Sequence, residues 1–230
     1  MNELLTASAF FGVLISLLAY YLGDRLRRKF KLAILNPLLI SIVLTILALC
    51  LLGVDYGTYA AGAKYLSWLL TPATVCLAIP LYEKLSLLKS NWRAIFAGIL
   101  SGMLAGMCSI LLMALLFGLN HAEYVTLLPK SVTTAIGMGL VEEMGGNTSI
   151  AAAAIIITGV LGNICAEGFL KLVHVEERVA KGVAIGSASH AVGTTRAMEM
   201  GETEGAMSSL SIAVSGLITV VAVQIFAQLL

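Results

Sequence analysis

Leu127-Leu-Pro-Lys-Ser-Val-Thr-Thr-Ala-Ile-Gly-Met-Gly-Leu-Val-Glu-Glu-Met-Gly-Gly146 interrupts a chain that is otherwise a succession of apolar runs. Twenty residues hold a proline, a lysine, three hydroxyls, two carboxylates and four glycines. The stretch also recurs. Ser131–Gly145 aligns without a gap on Ser187–Gly201, matching Ser131 to Ser187, Ala135 to Ala191, Gly137 to Gly193, Glu143 to Glu199, Met144 to Met200 and Gly145 to Gly201. A fainter third copy aligns Pro72–Pro80 with Pro129–Gly137. Polar, Gly/Pro-broken repeats inside a membrane chain point to the binding site of a transporter.

Composition sets that context. Of 230 residues, 59% are hydrophobic and 12% charged, with a mean hydropathy of +0.97. A soluble domain carries about 25% charged residues, so this composition cannot cover itself with a polar surface and implies a protein in the lipid bilayer. The net charge of +1 and the absence of a basic run with interleaved aromatics give no reason to expect nucleic acid. Cys50, Cys76, Cys108 and Cys165 stand singly in apolar runs and read as free, buried thiols. The Met-Asn-Glu start lacks a basic region, so the first apolar run is expected to stay on the protein.

A spanning helix needs about 20 apolar residues, and six runs qualify: 4–22, 32–52, 65–81 (broken at Thr71-Pro72), 95–119, 150–172 and 211–230. Val54–Tyr59 reads as a turn-rich loop. The repeats, 123–147 and 181–207, either cross the membrane or dip in and return. With six crossings and both repeats re-entrant, every basic residue but Lys64 and Lys130 falls on one side, as the positive-inside rule expects. Two extra crossings would move Lys171, Arg178 and Lys181 across and weaken the asymmetry. The expected fold is therefore an all-α membrane bundle, one domain over 1–230, with six helices and two inverted re-entrant hairpins; eight crossings is the alternative. Gly98, Gly102 and Gly106 recur every four residues and offer a close-packing face, inside the protomer or at a homodimer interface.

Irregular backbone at membrane depth survives only where protein buries it or it lines a cavity. Hairpins meeting from opposite faces would aim helix N-termini, with their unpaired N–H groups, at a shared volume suited to a small anion. The residues expected around a small-molecule carboxylate are Lys130, Ser131, Thr133, Thr134, Asn163, Ser187, Ser189, His190, Thr194, Thr195 and Arg196. Arg196 offers a forked donor and His190 a titratable one. Each has a plainer reading: a topogenic arginine, a packing histidine, a solvated loop lysine, or hydroxyls bonded back to their own helix. Glu143 and Glu199 read as hairpin-end charges. No Ser-His-Asp set, metal-ligand spacing or phosphate loop is present, so the sequence suggests no enzyme, no metal and no cofactor.

Leu128–Ile136, Ala188–Ala197, Gly162-Asn163, Leu70–Val75 and Pro80–Tyr82 together resemble the LrgB/CidB family of bacterial inner-membrane proteins, most closely its enterobacterial branch. The resemblance implies a small LrgA/CidA-type membrane partner. It also implies one of two roles: transport of small monocarboxylates such as pyruvate, glycolate or glycerate, or a holin/antiholin-like modulation of murein hydrolase export and cell lysis. The broken repeats favour the transporter over the lysis modulator.

Overall fold

The computed structural model describes residues 10–30, 35–69 and 85–230, together with 72, 75, 76, 79 and 82. Two compact units divide the chain, Met1–Cys76 and Leu77–Leu230. Among the described residues all regular structure is helical.

In the first unit, α1 (Phe11–Phe30) packs on α2 (Pro37–Leu52) and α3 (Tyr56–Trp68). The helix α1 does not stop at 22. It runs through the charged segment to Phe30, supported by the Arg28–Asp24 pair at 2.7 Å one turn apart and by basic residues in its last turn, where the helix dipole favours them. Asn36 caps α2 by accepting from the Leu38 and Leu39 amides, with Pro37 at the first helical position and Gly53 closing the helix at φ 61. Where the sequence suggests a loop, Asp55 instead caps α3, accepting from Gly57 N at 2.7 Å and Thr58 N at 3.2 Å. The signal was an N-cap aspartate hidden among turn-forming residues. About half of the expected 65–81 helix, and most of the third repeat copy, lie outside the described residues.

The second unit begins with α4 (Leu85–Phe117), ten residues longer at its start than its apolar run. Next come α5 (His121–Leu127), α6 (Thr134–Glu143), α7 (Thr148–Leu172), α8 (Arg178–Met200) and α9 (Glu202–Phe226). Among the described residues, three helical stretches are long and apolar enough to cross a membrane: Lys89–Phe117, Thr148–Leu172 and Glu202–Leu229. The last starts nine residues before 211 because Gly201 ends α8 and Glu202 and Glu204 open α9. The second repeat therefore closes at Gly201 rather than 207.

Both repeats are helices folded back on themselves. In the first, α5 and α6 flank a turn over 128–133, and the Asn147 amide returns to donate to Thr126 Oγ1 at 2.8 Å. In the second, helical dihedrals fail at His190 (φ 42, ψ −142). A Cβ on Gly193 would meet the Ile185 side chain at 3.1 Å and its carbonyl oxygen at 3.4 Å. Eight residues along a straight helix are about 12 Å apart, so the chain reverses at His190. It forms two arms, 178–189 and 191–200.

The two hairpins approach from opposite ends of α4. Ile95 and Ile99, early in α4, share a core with Val179 and Val183 of the second hairpin and with Ala206, Met207 and Leu210 of α9. Met103 to Ala114, later in α4, share one with Tyr124, Val125 and Leu128 of the first hairpin and with Val223. The glycine face is used inside the chain: Gly98 and Gly102 sit 3.2 Å, measured from an added Cβ, from Val183 and Ser187. The four cysteines are free, but they are exposed rather than buried. In a chain whose outward faces are apolar, a small apolar thiol fits the outside as well as the core.

Candidate functional site

The hairpin tips meet in mid-bundle. A narrow cavity there is lined by Ser131 and Pro129 of the first tip, Ser187 of the second, Gly102 and Gly106 of α4, and Ser215 and Thr219 of α9. Its free volume of about 20 Å³ has room for about one water molecule. The site is closed in this conformation.

Of the eleven residues expected around an anion, Ser131 and Ser187 line this cavity. Lys130, half-buried, donates to Ser131 Oγ at 3.3 Å. Thr133 and Thr134 begin α6 at the first tip, and the Thr133 side chain makes no capping bond. The others are held away from the cavity by specific partners. Thr194 Oγ1 donates to the His190 carbonyl at 2.9 Å and pairs with Ser208 Oγ at 2.7 Å. Ser189 packs so tightly on α7 that a Cβ on Gly162 would overlap its side chain. Asn163 reaches from α7 to the second arm, donating to the Val192 carbonyl at 2.8 Å and to Thr195 Oγ1 at 2.9 Å.

Arg196 stands at the base of the second hairpin, not at its tip. Its guanidinium bonds Glu167 and also donates to Glu199 at 2.7 Å, while Lys171 joins Glu167 at 2.8 Å. Arg196 is thus engaged in an ion-pair network at the base of the hairpin, with Glu199 as one of its partners.

His190 turns its ring away from the cavity toward α7. Nε2 lies 2.9 Å from the Ile155 carbonyl oxygen, which can only accept, so Nε2 carries the proton and donates. This bond holds a non-glycine residue in backbone territory that normally belongs to glycine, at a cost of order 1–3 kcal/mol. Ile155, fully buried, also lies where a Cβ on Gly137 of the first hairpin would strike its Cδ1. One residue of α7 therefore touches both hairpins.

The lining hydroxyls of α9 escaped the sequence reading. Ser208, Ser211, Ser215 and Thr219 are all buried and recur at helical spacing, a stripe visible within the apolar run. Ser211 and Ser215 donate to carbonyls of their own helix, at 2.8 and 3.2 Å. With Ser208 paired to Thr194, three of the four hydroxyls are buried with partners. Met103 and Met107, which form part of the apolar lining, carried no signal that separates a site from a core.

Comparison with known proteins decides the family. Residues 16–229 match the LrgB-like family. The chain belongs to that family. Proteins named antiholin-like protein LrgB, from Bacillus cereus and Bacillus anthracis, are 36% identical to it over 222 residues, covering 96% of this chain and 96% of each relative. No solved structure matches the chain.

Proposed function

We propose that this LrgB-like chain acts in a bacterial cytoplasmic membrane as an antiholin-like modulator of murein hydrolase export and lysis. The observation that carries the reading is the similarity, along nearly the whole chain, to relatives bearing that name. The packing is compatible with it. A lesion-forming helix must present a polar face to water, whereas the polar stripe of α9 faces inward and its Ser208, Ser211 and Ser215 hydroxyls are bonded. In the membrane the protein crosses six times, its hairpins re-entering from opposite faces, beside a small LrgA/CidA-type partner. Support for this topology comes from the three long apolar helices, the opposed hairpins and the one-sided basic residues. The test is lysis. In a host depleted of the protein, murein hydrolase activity in the medium and the rate of autolysis should rise, and both should return to normal on complementation. Unchanged hydrolase release and lysis would remove the reading.

One observation favours a second reading, a carrier of small monocarboxylates. Opposed hairpin tips around Ser131 and Ser187, with Lys130 beside them, form an arrangement in which a carboxylate finds hydroxyl donors and a cation. Saturable uptake of labelled pyruvate or glycolate into proteoliposomes, with and without the partner, tests it directly. Ser131→Ala combined with Ser187→Ala should lower uptake at least tenfold while leaving the fold intact. Non-saturable leakage, indifferent to both substitutions, would count against a carrier.

A further inference from the structure

A groove runs between α4 and the first arm of α8 and ends on the cavity. It has a free volume of about 590 Å³ and starts at Asn91 and Glu177, at the base of the second hairpin. Its walls are small and apolar: Ala94, Ile95 and Gly98 on α4, Val183, Ala184 and Ala188 on α8. It shares two residues with the closed cavity, Gly102 and Ser187. These two meet at the point where groove and cavity adjoin, an added Cβ on Gly102 lying 3.2 Å from Ser187 Oγ. The bonds that hold the second hairpin run to other helices. His190 is fixed to Ile155 and Val192 to Asn163, both on α7, while Thr194 pairs with Ser208 of α9. Gly182 and Gly186 lie against the α9 backbone. Toward α4 the first arm offers apolar contact, Val179 and Val183 against Ile95 and Ile99.

We propose that this groove is the entry path to the central cavity and that the Gly102–Ser187 contact is its gate. Parting α4 from the first arm joins the two volumes without breaking the bonds that tie the hairpin to α7 and α9. The lining carries no cation among the described residues, and the Glu177 carboxylate at its mouth caps α8 through the Ala180 amide at 2.8 Å. A carboxylate stripped of water in such a groove would find a few neutral donors, Asn91, Ser101 and Ser187, and no opposite charge. The species the path admits is therefore small and uncharged, which for a carrier means the protonated acid. The purpose of the path rests on the carrier reading; its existence does not.

Thiol labelling tests it in the full-length protein in liposomes. Ser187→Cys and Ser215→Cys are treated separately with N-ethylmaleimide, an uncharged reagent, and mass spectrometry follows each cysteine, with the exposed native Cys108 as the internal reference. Ser187→Cys should react within tenfold of Cys108, and Ser215→Cys, buried in the cavity behind the gate, at least tenfold more slowly than Ser187→Cys. Ala184→Trp, placed in the groove wall, should slow labelling of Ser187→Cys at least tenfold while sparing Cys108. If Ser187→Cys does not elute as the wild type does, Ala188→Cys replaces it with the same expected dependence on Ala184→Trp. Equal rates at Ser187→Cys and Ser215→Cys, or labelling indifferent to Ala184→Trp, would overturn the proposal. Uptake is measured separately, so the path and the carrier reading can fail independently.

Discussion

Gly186→Ala should loosen the second hairpin, and the structure sets the size of the effect. Gly186 faces α9 from the first arm of α8. An added Cβ would lie 2.8 Å from Ser208 Cα and 2.8 Å from Ser211 Cβ, and closer still to the Ser208 carbonyl oxygen. Carbon atoms rest about 3.5–4.0 Å apart, so the two helices must separate by roughly 1 Å. What blocks the methyl is largely the backbone of a 25-residue helix, which cannot rotate aside. Overpacking of this kind costs about 1–3 kcal/mol, while alanine returns up to about 1 kcal/mol in helix propensity. The separation also stretches the buried Thr194–Ser208 bond, 2.7 Å long, and a buried hydroxyl left unpaired costs about 1–3 kcal/mol. A net loss of about 2 kcal/mol follows, roughly a 30-fold fall in the folded-to-unfolded ratio. Gly168→Ala is the control. It sits within α7 with no heavy atom within 4 Å of its would-be Cβ, so only the propensity gain of up to about 1 kcal/mol remains. Denaturant titration in a mild detergent, read by circular dichroism, compares both with the wild type. A Gly186→Ala protein as stable as the wild type would refute the close contact between hairpin and α9.

At the turn of the second hairpin, His190→Gly should be more stable than His190→Ala by about 1 kcal/mol or more, since both lose the bond to Ile155 but only glycine accepts φ 42 without strain; equal melting temperatures would deny that the backbone is strained there. Arg196→Gln should cost no more than about 1 kcal/mol, because the guanidinium is a quarter exposed and its pairs with Glu167 and Glu199 are partly solvated. Its penalty should shrink in 1 M salt, and a loss of uptake with unchanged stability would instead give the residue a direct part in binding. Asp55 is held below the ordinary carboxylate range, chiefly by the Thr58 hydroxyl. A carboxylate with a lowered folded-state pKa stabilises above its unfolded pKa and loses that contribution as pH falls through the folded one. Hydrogen exchange at the Gly57 and Thr58 amides should therefore stay slow, relative to the intrinsic rate, at neutral pH and accelerate in acid below that range, and Asp55→Ala should abolish the change.

How much of this was readable beforehand depended on the kind of signal. The ungapped match of Ser131–Gly145 to Ser187–Gly201 located both hairpins, because a chain reversal inside an apolar bundle needs glycine, proline and hydroxyls at the bend. The ends of elements read poorly. Hydropathy placed the start of the last helix at Ser211, although Glu202 to Ser209 are helical and Glu204, Ser208 and Ser209 are buried against the second hairpin. Polar residues that pack against polar partners look like a loop in a hydropathy profile. Composition pointed to Arg196 as an anion ligand, but charge type says nothing of depth. Arg196 lies six residues past the bend, about 9 Å along a helix at 1.5 Å per residue, and there it meets Glu167 and Glu199. The cavity itself was half legible. Its hairpin serines lie in the repeat, while Ser215 and Thr219 come from a helix whose apolar run concealed them.

Ile155 gives α7 an asymmetric hold on the hairpins. The first hairpin rests against its side chain at Gly137, and the second is fastened to its carbonyl oxygen through His190. Substitution can reshape one seat but not the other, because every residue at position 155 keeps the carbonyl. Trimming Ile155 to valine or alanine loosens the first hairpin alone. A rotation or axial shift of α7 displaces both tips together, as a crankshaft carries two rods from one journal. The two halves of the repeat, 56 positions apart in the alignment of Ser131 with Ser187, are thereby geared to each other through a single helix, and motion in one hairpin reaches the other without the tips having to touch.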